Sequence, residues 1–326
     1  MLSLFRGNQI FAGFALLLYI ILLRFSTFAL PSDWQPTGAG VFSQAVYHWV
    51  GIHTLAANIV SVALIFLQAV ALNTMSVQYR MTDETNFFVG VFYVLLACYI
   101  PDFLHLSPIL MANTFMVIAL FSLFETYRKH ACADHIFNTG LWVGVASLFY
   151  GSTIVFILLT FLGLGILRPF KWRERVILLC GLVVPLFLTF TYYLWNNKSD
   201  FFWNEQIEKN ISFLNFVGEL QALDYLKLGL FGALLLIALF NANAYGMKRS
   251  IQVQKYQQVL YVWFVIAAAP LLFQSNIGLE YLLMLVIPLG LFLSFTFSKM
   301  RPPVADALHI LLFTGALLFQ YVHLVG

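Results

Sequence analysis

The chain has 326 residues, of which 61% are apolar and only 10% charged, and its mean hydropathy is +0.87. A soluble domain carries about 25% charged residues, so these values exclude one; with long unbroken apolar runs they define an all-α polytopic integral membrane protein. The formal charge of +3 is that expected of basic loops on one membrane face, and no nucleic-acid module is visible.

Apolar runs at residues 10–30, 54–77, 87–100, 107–126, 138–167, 176–195, 222–246, 257–273, 280–298 and 305–325 predict membrane helices. The first follows Arg6, is too long for a signal-peptide core and has no Ala-x-Ala cleavage site, so it is expected to stay as a span. The fifth decides the topology. As one helix of thirty residues it would be about 45 Å long, against a hydrocarbon core of about 30 Å. A single crossing there leaves ten Lys and Arg outside and seven inside. A hairpin of two short helices, 138–149 and 153–167, broken at Tyr150, Gly151 and Ser152, gives thirteen inside and four outside. The positive-inside rule selects the hairpin. The expected product is one polytopic unit over 1–326, with about eleven membrane helices and a cytoplasmic N-terminus.

Two outer loops are long enough to act. "PSDWQPTGAGVFSQAVYHWVGIH" begins with turn residues and continues as an apolar, aromatic segment at 41–50, expected to lie along the membrane surface. "NNKSDFFWNEQIEKNISFLNF" mixes aromatic and charged residues in the same interfacial manner and contains two Asn-x-Ser tripeptides, at Asn197 and Asn210. Asp33 is the acid of the first loop. A carboxylate partly desolvated at the outer edge of a membrane can serve as general base toward a hydroxyl, although the position alone also suits a solvated turn. The outer cations are Arg24, Lys198, Lys209 and Lys227; Arg24 and Lys227 are placed to hold a lipid phosphate or to snorkel and pair with acids.

The amides Asn58, Gln68, Asn73 and Gln320, with His323, read as links between helices, and the near absence of buried acids argues against a proton-driven pump. His48 and His53 are five apart, a poor spacing for ligands on one helix face, and His105 is the third histidine that could join them outside; no metal is expected. Cys98, Cys132 and Cys180 are too dispersed for a disulfide framework, and no cofactor is implied.

In order, "LPSDWQP", "CYIPDFLHLSPILMANTFMVIALFSLFE", "FNTGLWVGVASLFYGSTIVFILLTFLGLGILRPFKWRER" and "EYLLMLVIPLGLFLSFTFSK" resemble the successive parts of the GT-C glycosyltransferases. Those parts are a first outer loop with a catalytic Asp, paired helices around a short outer loop, a Gly-rich hairpin ending in basic residues, and a late "RYLLPxxPxLxLL" helix. The resemblance covers most of residues 1–300 and implies sugar transfer from a polyprenyl-phosphate donor at the outer face of the cytoplasmic, or inner, membrane of the cell envelope. It implies Asp33 as catalytic base, Asp102 as the second outer acid, Arg24 or Lys227 at the donor phosphate, and position 280 as facing that donor. There the chain departs: Glu280 stands where the family commonly has Arg, which would repel a phosphate. The chain is also similar to multi-spanning membrane proteins of Bacteroidota, a resemblance that implies no particular activity. Three readings follow: a lipid-linked glycosyltransferase, a non-catalytic membrane subunit or scaffold with protein partners, and a transporter or lipid-handling protein, which a continuous polar cavity open to both sides would favour.

Overall fold

The computed structural model describes residues 2–5, 9–29, 34–82, 86–208, 222–246, 249–273 and 278–322. Among them the structure is helical, its one β-type contact being an isolated bridge between Ala39 and Tyr150. The helices are α1 (Gln9–Leu23), α2 (Phe25–Ala29), α3 (Val41–Val50), α4 (Leu55–Gln78), α5 (Phe88–Ala97), α6 (Pro108–Phe124) and α7 (Ala133–Phe149). They continue with α8 (Ile157–Leu167), α9 (Trp172–Trp195), α10 (Ser199–Phe202), α11 (Ala222–Gly246), α12 (Ile251–Phe273), α13 (Leu283–Lys299) and α14 (Pro302–Val322). Among the described residues four spans are long and apolar enough to cross a bilayer: Leu55–Gln78, Trp172–Trp195, Leu279–Lys299 and Pro302–Tyr321. Five shorter apolar helices accompany them.

The centre is made by α5 and α13. Every residue of α5 is buried, as is nearly every residue of α13. A helix apolar all round must be covered all round, and α13 is covered by protein. Gly290 lets the two backbones meet: a Cβ added there would lie 3.1 Å from Tyr93 Cα. Phe92 and Phe297 pack beside that contact at 4.3 Å between ring centroids. In lipid such contacts stabilise by close packing and buried hydrogen bonds, because the alternative environment is equally apolar.

Of the residues predicted as links between helices, Asn58, Gln68 and Gln320 hold helices together, whereas the Asn73 Oδ1 is buried with no hydrogen-bond partner among the described residues. Gln68 of α4 donates to the Leu110 carbonyl (2.8 Å) and to Thr114 Oγ1 (2.6 Å) and accepts from Tyr93. Asn58 donates to the Thr27 carbonyl, and Gln320 donates to the Cys98 carbonyl while accepting from Ser26. His323 lies outside the described residues.

The hairpin is present. Gly140 lies against Leu178, and Gly144 against Leu182 and Pro185, so position rises along α7 and α9 in the same direction. Parallel α7 and α9 require the segment between them to run back. It does so as a 3₁₀ turn, Gly151–Phe156, followed by α8. Arg168, at the end of α8, then donates to the carbonyls of Thr126 and Lys129, just before α7 begins. It also forms a fork with both carboxylate oxygens of Glu174, at 3.2 and 3.0 Å. The returning arm starts as 3₁₀ because the β-branched run Thr153, Ile154, Val155 follows an extended Tyr150 with no side-chain cap.

Several helices overrun their apolar windows: α7 starts at Ala133, α9 at Trp172 and α12 at Ile251, each with a polar first turn. A hydropathy window finds the lipid-buried part, whereas the hydrogen-bonded ladder continues into the headgroup region. The first run behaves differently, breaking at Arg24 into α1 and α2.

Candidate functional site

The end of the bundle opposite Arg168 gathers residues far apart in the chain. The broken hairpin tip anchors the first loop: Gly40 N–H and Ser43 Oγ both donate to the Phe149 carbonyl at 2.8 Å. This seats α3 across the tip, with Val41 and Ser43 buried and Trp49 exposed, as its amphipathic pattern predicts. Tyr47 of α3 donates to the Leu106 carbonyl at 2.7 Å. Gln206 accepts from Val41 N–H and donates to the Ser147 carbonyl, tying the 199–207 segment to the same tip.

Inside this frame lies a polar cluster. Pro101 opens a 3₁₀ turn, Pro101–Leu104, that presents Asp102. A second 3₁₀ turn, Leu279–Leu282, packs against it and presents Glu280 at the entrance of α13. Lys227 of α11 approaches Asp102 at 3.5 Å; its side chain is 3% exposed and that of Asp102 30%. The spacing is looser than the 2.7–2.9 Å of a tight charge-assisted hydrogen bond. Glu280, 3% exposed, accepts from Trp34 Nε1 at 2.6 Å through Oε1, and its Oε2 has no hydrogen-bond partner among the described residues. The Trp34 indole stacks on His105, with 5.0 Å between centroids and 19° between planes. Burial first, then the positive charge of Arg24 and of His53, push the His105 imidazole down to about 4, so it is neutral at pH 7.

Of the residues predicted for the site, Asp102, Lys227 and Glu280 come together, and Trp34 brings the first loop to them. Asp33 lies outside the described residues, immediately before Trp34. Arg24 sits deeper, fully buried at the α1–α2 break, donating through Nη1 to Ser61 and through Nη2 to the Phe103 carbonyl at 2.8 Å. Lys209 and Asn210 are outside the described residues, and no group of three or more His, Cys, Asp or Glu suited to a metal occurs among the described ones. Trp34, His105 and Gln206 carried no strong sequence signal. An indole directly after the loop acid was the nearest to one.

At the hairpin tip is an apolar groove of about 570 Å³, between Ile154 and Val155 of the hairpin, Val183 and Phe187 of α9, Trp203, and Pro270 of α12. Tyr150, next to the groove residue Gly151, and Tyr281, next to Glu280, link groove and cluster in the chain. Their rings are 6.3 Å apart, and Tyr281 donates to the Ala267 carbonyl at 2.7 Å. The groove's volume and lining suit a lipid chain.

A hairpin broken at its tip, a surface helix laid over it, and a central late helix entered by a charged turn make this a GT-C-like polytopic membrane fold. Among solved structures the chain is similar to ArnT from Cupriavidus metallidurans bound to undecaprenyl phosphate, with a TM-score of 0.56 and 13% identity over 90% of this chain. The apo state of ArnT gives 0.53 and 14% over 89%. The chain spans 57% and 56% of the lengths of those two structures. No protein-family model matches it, and no curated protein does. At this identity the likeness establishes the fold.

Proposed function

We propose that the chain is a GT-C-type transferase that moves a sugar from a polyprenyl-phosphate donor to a hydroxyl acceptor at the outer face of the cytoplasmic membrane. The observation that carries this reading is the presence of an apolar groove and a polar cluster at one end of a fold shared with ArnT, a protein crystallised with undecaprenyl phosphate. The prenyl chain occupies the groove and the phosphate passes the tyrosines to Lys227, which exchanges Asp102 for the phosphate as its counter-charge. Lys227 suits this role better than Arg24, whose two terminal nitrogens already donate to protein oxygens. Asp33 takes the proton from the acceptor hydroxyl as that oxygen bonds to the sugar's anomeric carbon; the bond from that carbon to the phosphate oxygen breaks, and polyprenyl phosphate leaves. The charge asymmetry supports a cytoplasmic N-terminus: the end carrying Arg128, Lys129, Arg168, Lys171 and Arg173 is the basic one.

Asp33→Asn tests the chemistry. Turnover with a polyprenyl-phosphate sugar is expected to fall about a hundredfold or more while donor binding persists; full turnover would remove Asp33 from the mechanism. A second reading, a non-catalytic subunit with membrane-protein partners, is favoured by one observation, that Lys227 is already neutralised by Asp102. Donor retention without turnover in the wild type, together with stable co-purification of a partner, would select it.

A further inference from the structure

We propose that Glu280 is a positioning residue, holding Trp34 and through it the loop that carries the adjacent Asp33. The inference rests on the reading of Asp33 as the base and assigns a different task from the donor contact that the family comparison implies for position 280. Glu280 stands on a buried support, the turn that enters the buried helix α13. That turn is itself braced, because Tyr281 N–H donates to the Gly278 carbonyl and Tyr281 Oη to the Ala267 carbonyl.

From this support Glu280 Oε1 accepts the Trp34 indole N–H at 2.6 Å, across 246 positions of sequence. The His105 ring covers one face of the same indole. An edge-on hydrogen bond and a face-on stack together fix both the translation and the tilt of the ring. The turn reaches the loop a second time three residues on: a Cβ added at Gly278 would lie 3.1 Å from Thr37 Oγ1. A cation at position 280 would present donors to the indole N–H and could not hold it. The departure from the family's Arg is therefore coupled, on this account, to the tryptophan that follows Asp33.

The competing assignment is that Glu280 meets the substrate through its second oxygen, which is buried and has no hydrogen-bond partner among the described residues. The two differ in what the negative charge is for. Holding Trp34 needs only an acceptor, which glutamine keeps; meeting a substrate through Oε2 needs an acceptor where glutamine can place an NH₂. The test compares Glu280→Gln, Glu280→Leu, Trp34→Phe and the Glu280→Leu/Trp34→Phe double variant, using turnover of a polyprenyl-phosphate sugar and hydrogen–deuterium exchange of the peptide covering residues 34–40.

Positioning predicts that Glu280→Leu and Trp34→Phe each lower kcat about ten- to a hundredfold with donor KM within about threefold, and each speed exchange in the loop. It also predicts that Glu280→Gln recovers both to near wild-type values and that the double variant is no worse than the poorer single one. A Glu280→Gln variant with normal loop exchange and turnover as low as Glu280→Leu would overturn the proposal in favour of direct substrate contact, and unchanged loop exchange in both Glu280→Leu and Trp34→Phe would also overturn it. The exchange measurement does not depend on catalysis. If Asp33→Asn is fully active while exchange follows the predicted order, the reading of the base fails and the positioning of the loop stands.

Discussion

Arg24 carries a guanidinium into the core on two oxygens, Ser61 Oγ and the Phe103 carbonyl, and in doing so joins the α1–α2 break to α4 and to the turn that presents Asp102. Arg24→Ala therefore removes packing and leaves two buried acceptors without donors. The expected loss is about 3 kcal/mol in reversible unfolding from detergent micelles, with the break between α1 and α2 loosened. A change below about 0.5 kcal/mol would show that the bonds contribute nothing net. His105 adds a pH dependence of definite sign. Its folded value, about 4, lies below the 6.5 of a free imidazole, so between these limits the unfolded chain binds more protons than the folded one. Stability from this group is complete above about pH 6.5 and is lost as pH falls toward 4. In His105→Gln the acid limb of stability against pH should flatten in that window. The sequence showed His105 only as a poor metal ligand. Its stacking partner Trp34 is 71 positions away, and no local pattern reports such a pairing.

The α7–α9 contact depends on three glycines. A Cβ at Gly140 would lie 2.1 Å from the Leu178 carbonyl oxygen, and one at Gly181 would lie 2.2 Å from that of Phe137. Backbone this close allows weak Cα–H···O contacts along a parallel pair, the small-residue mode of association in lipid. Gly140→Ala must push the helices apart, at about 1–3 kcal/mol. Gly13→Ala, where nothing lies within 4 Å, should be neutral or slightly stabilising through helix propensity. Equal effects of the two substitutions in an unfolding titration would show that α7 and α9 are not tightly docked. The hairpin itself was legible, since charge counting needed only its two ends. Its internal geometry was not, because a 3₁₀ start and a helix that overruns its apolar window leave no trace in hydropathy.

Across the bundle the two ends have different chemistry. One is pinned by arginines on backbone carbonyls and on Glu174; the other pairs carboxylates with an indole and an ammonium and has an apolar groove. Single cysteines at positions 42–49 and 199–203 should both react with a membrane-impermeant reagent from the outside, in a background with Cys180 replaced, while those at 169–174 should not. Outside labelling of the basic run would invert the topology. That the chain folds as a GT-C-like bundle was readable in the order of its parts, whereas the groove was not, because its walls come from the hairpin, α9, the 199–207 segment and α12. The central claim is that this groove holds a polyprenyl phosphate. Native mass spectrometry with undecaprenyl phosphate tests it most directly, comparing wild type with Val183→Trp and Ile154→Trp, which fill the groove from α9 and from the hairpin at positions 55% and 41% exposed. The account predicts one tightly held lipid on the wild type and at least tenfold weaker retention by each variant; equal retention by all three would contradict it.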